Sequence, residues 1–163
     1  MSQAEAPTRS CIFIRLPSRT EFLAIERALV RTICQLCGFP DEDADRIVLA
    51  VDEACTNIIR HGYGGPCERP IEISAAPLDG APGGVVLRIR DYGVQVDPDQ
   101  LKPCPHEEIR PGGQGVNIIY KVMDEVRYSR ADGGGMELLL IKRRNDSDAQ
   151  RPEPTDTSPE NTG

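Results

Sequence analysis

The stretch Asp52-Glu53-Ala54-Cys55-Thr56-Asn57-Ile58-Ile59-Arg60-His61-Gly62-Tyr63 decides how this chain is read. Its apolar spacing is that of a helix, and Glu53 and Asn57, four residues apart, then project from one face. A carboxylate can accept a proton. A neutral amide oxygen one turn away can hold a hard cation such as Mg²⁺ without adding negative charge. Asp52 points about 100° away around the helix and reads as a polar rim residue. For His61 and Tyr63, at the end of the segment, packing or capping fits better than catalysis.

Two later segments give this pair a context. Val85 to Arg90 is an apolar strand pattern that runs into Asp91-Tyr92-Gly93, 34 residues beyond Asn57 at the aspartate. Gly112-Gly113-Gln114-Gly115-Val116 then opens a helical pattern. Backbone N–H groups without helical partners face outward at such a start, and absent side chains let an anion approach them. No Gly-Lys-Ser/Thr follows, so this is not a Walker A loop.

In this order the three segments resemble the N, G1 and G2 boxes of the GHKL (Bergerat-fold) ATPases. Met123-Asp124-Glu125-Val126 after the third box is very similar to a segment of the anti-sigma-factor serine kinases of the RsbW/SpoIIAB type. The resemblance runs from about Cys11 to Arg143. It implies an α+β two-layer sandwich, a mixed and mostly antiparallel sheet with helices on one face. It also implies an ATP-dependent protein serine kinase that phosphorylates an anti-anti-sigma (STAS-domain) partner, binds a sigma factor and forms a homodimer.

Carried over residue by residue, Glu53 is the general base and Asn57 the Mg²⁺ ligand. Asp91 accepts from the adenine amino group, Gly93 gives the backbone room beside the base, and Gly113, Gln114, Gly115 and Val116 cradle the phosphates of ATP or ADP. One position departs from the pattern: D-x-G-x-G requires glycine where Gln95 stands, so a side chain there is expected to narrow the adenine pocket. A lid corresponds to Pro98–Pro111, with Lys102 and Arg110 as candidate phosphate contacts, and Cys104 and His106 as exposed residues. Two other readings stay open: a switch kinase that activates a phosphatase, and a nucleotide-binding adaptor without significant catalysis.

Composition sets the outer bounds. With 163 residues, 39 % apolar and 28 % charged, the chain is sized for one globular domain with one core. No apolar run approaches the ~18 residues of a membrane span, and Met1 to Ser10 lacks the order of a secretory signal, so a cytoplasmic location is expected. The formal charge of −7 argues against nonspecific nucleic-acid or anionic-membrane binding. Residues 145–163 hold five acids and one base, leaving only −3 on the rest. Lys142-Arg143-Arg144 reads as a solvated strand end.

The six cysteines read as reduced, small hydrophobes, and Cys34-Gln-Leu-Cys37 as helix packing.

The expected element order is β-α-α-β-β-α-β-β. Cys11–Leu16 is a strand, and Ser18 with Glu21 has capping-box spacing. Phe22, Ile25, Leu29, Ile33 and Leu36 form the apolar stripe of a first helix. A second helix spans about Glu42 to Arg60, with Ile47, Val51, Ala54 and Ile58 inward. Strands at 69–76 and 84–91 precede the Pro98–Pro111 loop. A short helix at 115–124 and strands at 126–130 and 136–143, joined through Asp132-Gly133-Gly134, complete the domain. The expected organisation is a flexible 1–10, a domain at 11–144 and a disordered acidic tail at 145–163, whose composition offers almost nothing to bury.

Overall fold

The computed structural model describes residues 11–103 and 114–145; the expected flexible terminus, the acidic tail and most of the lid lie outside them. Strand β1 (Ile12–Pro17) leads through a 3₁₀ turn (Thr20–Phe22) into helix α1 (Leu23–Leu36). Helix α2 (Asp41–Asn57) follows, then strands β2 (Pro70–Leu78) and β3 (Gly84–Arg90). A 3₁₀ turn (Pro98–Leu101), helix α3 (Gln114–Val122) and strands β4 (Glu125–Arg130) and β5 (Met136–Arg143) complete the order.

The strands make one sheet in the order β1-β2-β3-β5-β4, and each of its four pairings is antiparallel. Register follows from the alternation of apolar residues, because a slip of one residue would turn every side chain to the opposite face. Ile14, Ile73, Ile89, Leu138 and Tyr128 form one cross-strand row, and Ile12, Ala75, Leu87, Leu140 and Val126 the next. Apart from Ile12, which is exposed, these rows meet Val30 and Ile33 of α1, Ile47, Val51 and Ala54 of α2, and Ile119 of α3 in a single core. The opposite face carries charged side chains, among them the pairs Arg15–Glu72 at 3.5 Å and Arg88–Glu137 at 3.6 Å. The result is a two-layer α+β sandwich. Among the described residues no helix is long and apolar enough to cross a membrane.

Helix α1 departs from its expected face. Its buried residues are Leu23, Glu26, Val30, Ile33 and Cys34, so of the expected stripe only Ile33 is fully buried. Ile25 is 49 % and Leu36 74 % exposed. The helix is rotated by roughly a quarter turn because α2 competes for its other flank. Arg27 binds Asp52 at 2.7 Å, and Arg31 pairs with Asp45.

The capping box is not formed either. Ser18 is fully buried and continues the β1–β2 connection: its N–H donates to the Arg69 carbonyl at 2.9 Å and its Oγ to the Cys67 carbonyl at 3.1 Å. Helix α2 also ends earlier than expected. Beyond Asn57 the chain winds as a π-helical turn over Ile58–Gly62, with the Tyr63 N–H donating to the Ile58 carbonyl at 2.9 Å. Within the expected loop, Asp97 accepts the Asp99 N–H at 3.0 Å and caps the short turn Pro98–Leu101.

Of the C-x-x-C pair, Cys34 is buried and Cys37 half-buried. Burial pushes the Cys34 thiol up to about 12, so at neutral pH it packs as an uncharged hydrophobe.

Glu26 is the polar exception in this core. It is fully buried, and neither carboxyl oxygen has a hydrogen-bond partner among the described residues. Loss of water, and then the nearby Asp52 charge, push its carboxyl from 4.5 to about 8, against the opposing pull of Arg27. The buried Cys55 thiol faces the same spot and is itself pushed up by burial and by Glu26. Between pH 4.5 and 8 the folded chain therefore holds a proton that the unfolded chain has released. Stability linked to this group is complete below the lower value and is lost as pH rises through the upper one. Glu26→Gln should remove that loss, on the order of 3–5 kcal/mol by the shift. Urea unfolding from pH 5 to 9 should show a falling wild-type midpoint and a flatter one for the variant. Parallel curves would contradict this account of Glu26.

Candidate functional site

The helical stretch 52–57 places Glu53 and Asn57 on the side of α2 that meets α3. The meeting is close. A Cβ built on Gly115 would lie 2.5 Å from Glu53 Oε2 and 3.3 Å from Asn57 Nδ2. Glycine at 115 is what lets the amino end of α3 reach both side chains. Neither Glu53 nor Asn57 makes a side-chain hydrogen bond or ion pair among the described residues, so their polar atoms are available to a ligand. Two of the three expected site segments are thus brought together: the carboxylate and amide of the first, and the helix start of the third. Gly113 lies outside the described residues, as do Arg110, Cys104 and His106. Gln114 begins α3. Val116 lines the neighbouring cavity.

That cavity, of about 180 Å³, opens between α2, α3 and the sheet. Asn57 and Asp91 are among its polar lining residues, and Ile89, Val96, Met136 and Leu138 supply apolar walls. An apolar slot with a few fixed polar groups is the form of a small-molecule site. Asp91, at the end of β3, is 4 % exposed. Burial pushes its carboxyl up, while the N–H groups of Gly93 and Met136 and the cations Arg90 and Arg69 pull it back. The Gly93 N–H donates to Asp91 Oδ1 at 2.7 Å.

Two glycines let the backbone close around this aspartate. A side chain at Gly93 would collide with the Gly62 carbonyl of the π turn. Gly135, at φ +73°, packs against the Asp91 carbonyl in a conformation that L side chains rarely adopt. Gly135 was not legible in the sequence, where it reads as one more hairpin glycine after Gly133 and Gly134.

Tyr63 is structural. Its hydroxyl donates to the Pro70 carbonyl and accepts the Tyr92 N–H at 2.8 Å, and the Arg69 guanidinium lies 4.7 Å from its ring centre. It locks the end of the π turn to the residue after Asp91. His61 is exposed and lines the cavity mouth. Lys102 pairs with Asp99 at 2.7 Å on the exposed 3₁₀ turn, so it is already neutralised there. Gln95, expected to narrow the pocket, does not line it; its side chain turns outward to the Ala131 carbonyl at 2.9 Å.

Known proteins resemble this chain in sequence and in fold. Residues 16–142 match the model of the histidine kinase-like ATPase domain. The chain belongs to that family. Among curated relatives it is 28 % identical over 141 residues to serine-protein kinase RsbW of Bacillus cereus, covering 80 % of this chain and 83 % of that one. RsbW of Bacillus anthracis is 28 % identical over 142 residues, with the same coverage of 80 % and 83 %.

Two solved structures share the fold. The SiaB–SiaC complex from Pseudomonas aeruginosa superposes with a TM-score of 0.59 at 16 % identity, covering 80 % of this chain and 88 % of that one. A chain carrying the RsbU and RsbW domains of a Mycobacterium tuberculosis protein gives a TM-score of 0.57 at 20 % identity. There, 83 % of this chain matches but spans only 32 % of the other. The resemblance to the RsbW branch of the family and the antiparallel α+β sandwich both stand.

Tyr63→Phe should leave the half-buried Tyr92 N–H without its acceptor and cost about 0.5–2 kcal/mol of folding stability. A urea midpoint equal to that of the wild type would show that the hydroxyl does not hold the two segments together.

Proposed function

We propose that this chain is an ATP-dependent protein serine kinase. Its substrate is a serine hydroxyl of a small STAS-domain protein, and its other partner is a sigma factor that it restrains. The observation that carries the reading is the convergence of Glu53 and Asn57 on the amino end of α3, beside a cavity walled by Asp91. The similarity to serine-protein kinase RsbW supports the class of reaction and partner.

Each residue then has one task. Asp91 accepts from an exocyclic amine and so favours adenine over guanine. Gly93 keeps the backbone close to the base. The helix start at Gln114, Gly115 and Val116 offers N–H groups and a positive dipole end to phosphate oxygens. Asn57 would hold Mg²⁺ through its amide oxygen; the bound ion would supply neutralisation of the phosphate charge. Glu53 takes the proton of the serine hydroxyl as its oxygen bonds the γ-phosphorus and the bond to the bridging oxygen breaks, leaving ADP.

A homodimer belongs to the same proposal and rests on the resemblance to the anti-sigma kinases. The adaptor reading, which a side chain at position 95 narrowing the pocket would favour, loses that support, because Gln95 does not line the cavity. A kinase that switches a phosphatase uses the same site and differs only in its downstream partner.

Incubation with γ-labelled ATP and STAS-domain proteins tests the reading directly. Wild type should transfer label to a serine. Glu53→Ala should keep nucleotide binding and slow transfer by ~10²–10⁴-fold, the range for a lost general base. Asn57→Ala should impair Mg²⁺-dependent binding and transfer together. Asp91→Ala should weaken ADP binding roughly 10- to 100-fold, the worth of a hydrogen bond to a charged group. Transfer by Glu53→Ala at the wild-type rate would remove Glu53 from its role, and equal affinity for ATP and GTP would remove Asp91 from its own.

A further inference from the structure

The segment from Tyr92 to Asp97 forms one wall of the cavity through Val94 and Val96, yet it belongs to no helix or strand. Its near end is well anchored, by the Tyr63 hydroxyl at the Tyr92 N–H and by the Val94 N–H donating to the Gly62 carbonyl at 3.0 Å. Its far end is held by side chains that reach across to the β4–β5 turn. Gln95 Nε2 donates to the Ala131 carbonyl at 2.9 Å, and Arg130 Nε donates to the Val96 carbonyl at 3.3 Å. Arg90, stacked 4.3 Å from the Tyr92 ring centre, donates to the Asp132 carbonyl of the same turn at 3.0 Å. Val94 is 63 % exposed, so burial alone does not fix this wall.

We propose that Gln95 is a positioning residue for the nucleotide. Standing where the family pattern has glycine, it clamps the Val94–Val96 wall to the β4–β5 turn and thereby sets the wall's place beside the base. A glycine would leave this stretch to be ordered when the ligand binds, and ordering backbone lowers affinity. The amide donates, so the clamp needs an N–H at the end of side chain 95. Glutamate has the same shape but no donor at neutral pH and would face a carbonyl oxygen. Lysine has a donor and the reach. The functional half of this inference rests on the adenine-nucleotide reading above; the clamp itself does not.

Two measurements on the full-length chain separate them, with Gln95→Gly, Gln95→Glu and Gln95→Lys compared with the wild type. Backbone amide hydrogen exchange over residues 94–97, without nucleotide, reports the clamp. It should speed up in the glycine and glutamate variants and stay near wild type in the lysine variant. Dissociation constants for a fluorescent ADP analogue report the function: about 2- to 5-fold weaker for glycine and glutamate, consistent with one exposed hydrogen bond, and restored by lysine. Unchanged exchange in Gln95→Gly and Gln95→Glu would overturn the clamp. Faster exchange with unchanged ADP affinity would overturn the positioning role and leave a purely structural tie. A wild type that binds no ADP would instead overturn the nucleotide reading, while the exchange data still decided the clamp.

Discussion

Helix α3 begins so close to helix α2 that a side chain at position 115 would press on Glu53 and Asn57. Everything proposed for the site depends on this approach. It brings the outward N–H groups and the positive end of α3 beside a carboxylate and an amide on α2. Helix α2 can present those groups because its other sides are committed: Ile47, Val51 and Ala54 pack into the core, and Asp45 and Asp52 are paired with arginines of α1. The sheet holds α2 in place through rows of Ile, Val and Leu whose register admits one face only.

The second element of the site is the turn after β3. Asp91 is nearly buried, its carboxylate is met by the Gly93 N–H, and Gly62, Gly93 and Gly135 let three backbone segments close around it. The π turn at Ile58–Gly62 matters here. By widening the last turn of the α2 segment it carries Gly62 to Gly93 and Tyr63 to Tyr92, and so couples the two halves of the site. Glu26, buried without hydrogen-bond partners among the described residues, lies apart from this arrangement and bears on the stability of the α1–α2 contact.

Much of this was legible in the sequence. The strands could be placed because their apolar residues alternate. Glu53, Asn57, Asp91 and Gly115 were singled out by the resemblance of their segments to the family's boxes, and the structure sets Glu53 and Asn57 against Gly115 with Asp91 in the wall of the neighbouring cavity. What could not be read came from tertiary competition. The stripe Phe22-Ile25-Leu29-Ile33-Leu36 has the right period, but α2 draws a neighbouring face of α1 inward, taking a glutamate with it. Ser18 has capping spacing, yet the β1–β2 connection claims its hydroxyl. Gln95 reads as an obstruction in the pocket from its position alone; only the turn at Ala131, far away in sequence, gives its side chain somewhere else to go. Gly135 hides among glycines that a hairpin would explain.

The close approach at Gly115 is tested most directly by calorimetric titration of Gly115→Ala with Mg-ADP, alongside its thermal unfolding. The nearest atom to the added methyl is the end of the flexible Glu53 side chain, which can swing aside, and alanine favours the helix. The fold should therefore survive with an unchanged or raised midpoint. The methyl would occupy the space between Glu53, Asn57 and the amino end of α3, so ADP affinity should fall about tenfold or more, equivalent to at least ~1.4 kcal/mol. A folded Gly115→Ala that binds ADP as tightly as the wild type would contradict the claim that the nucleotide phosphates lie where α3 meets α2.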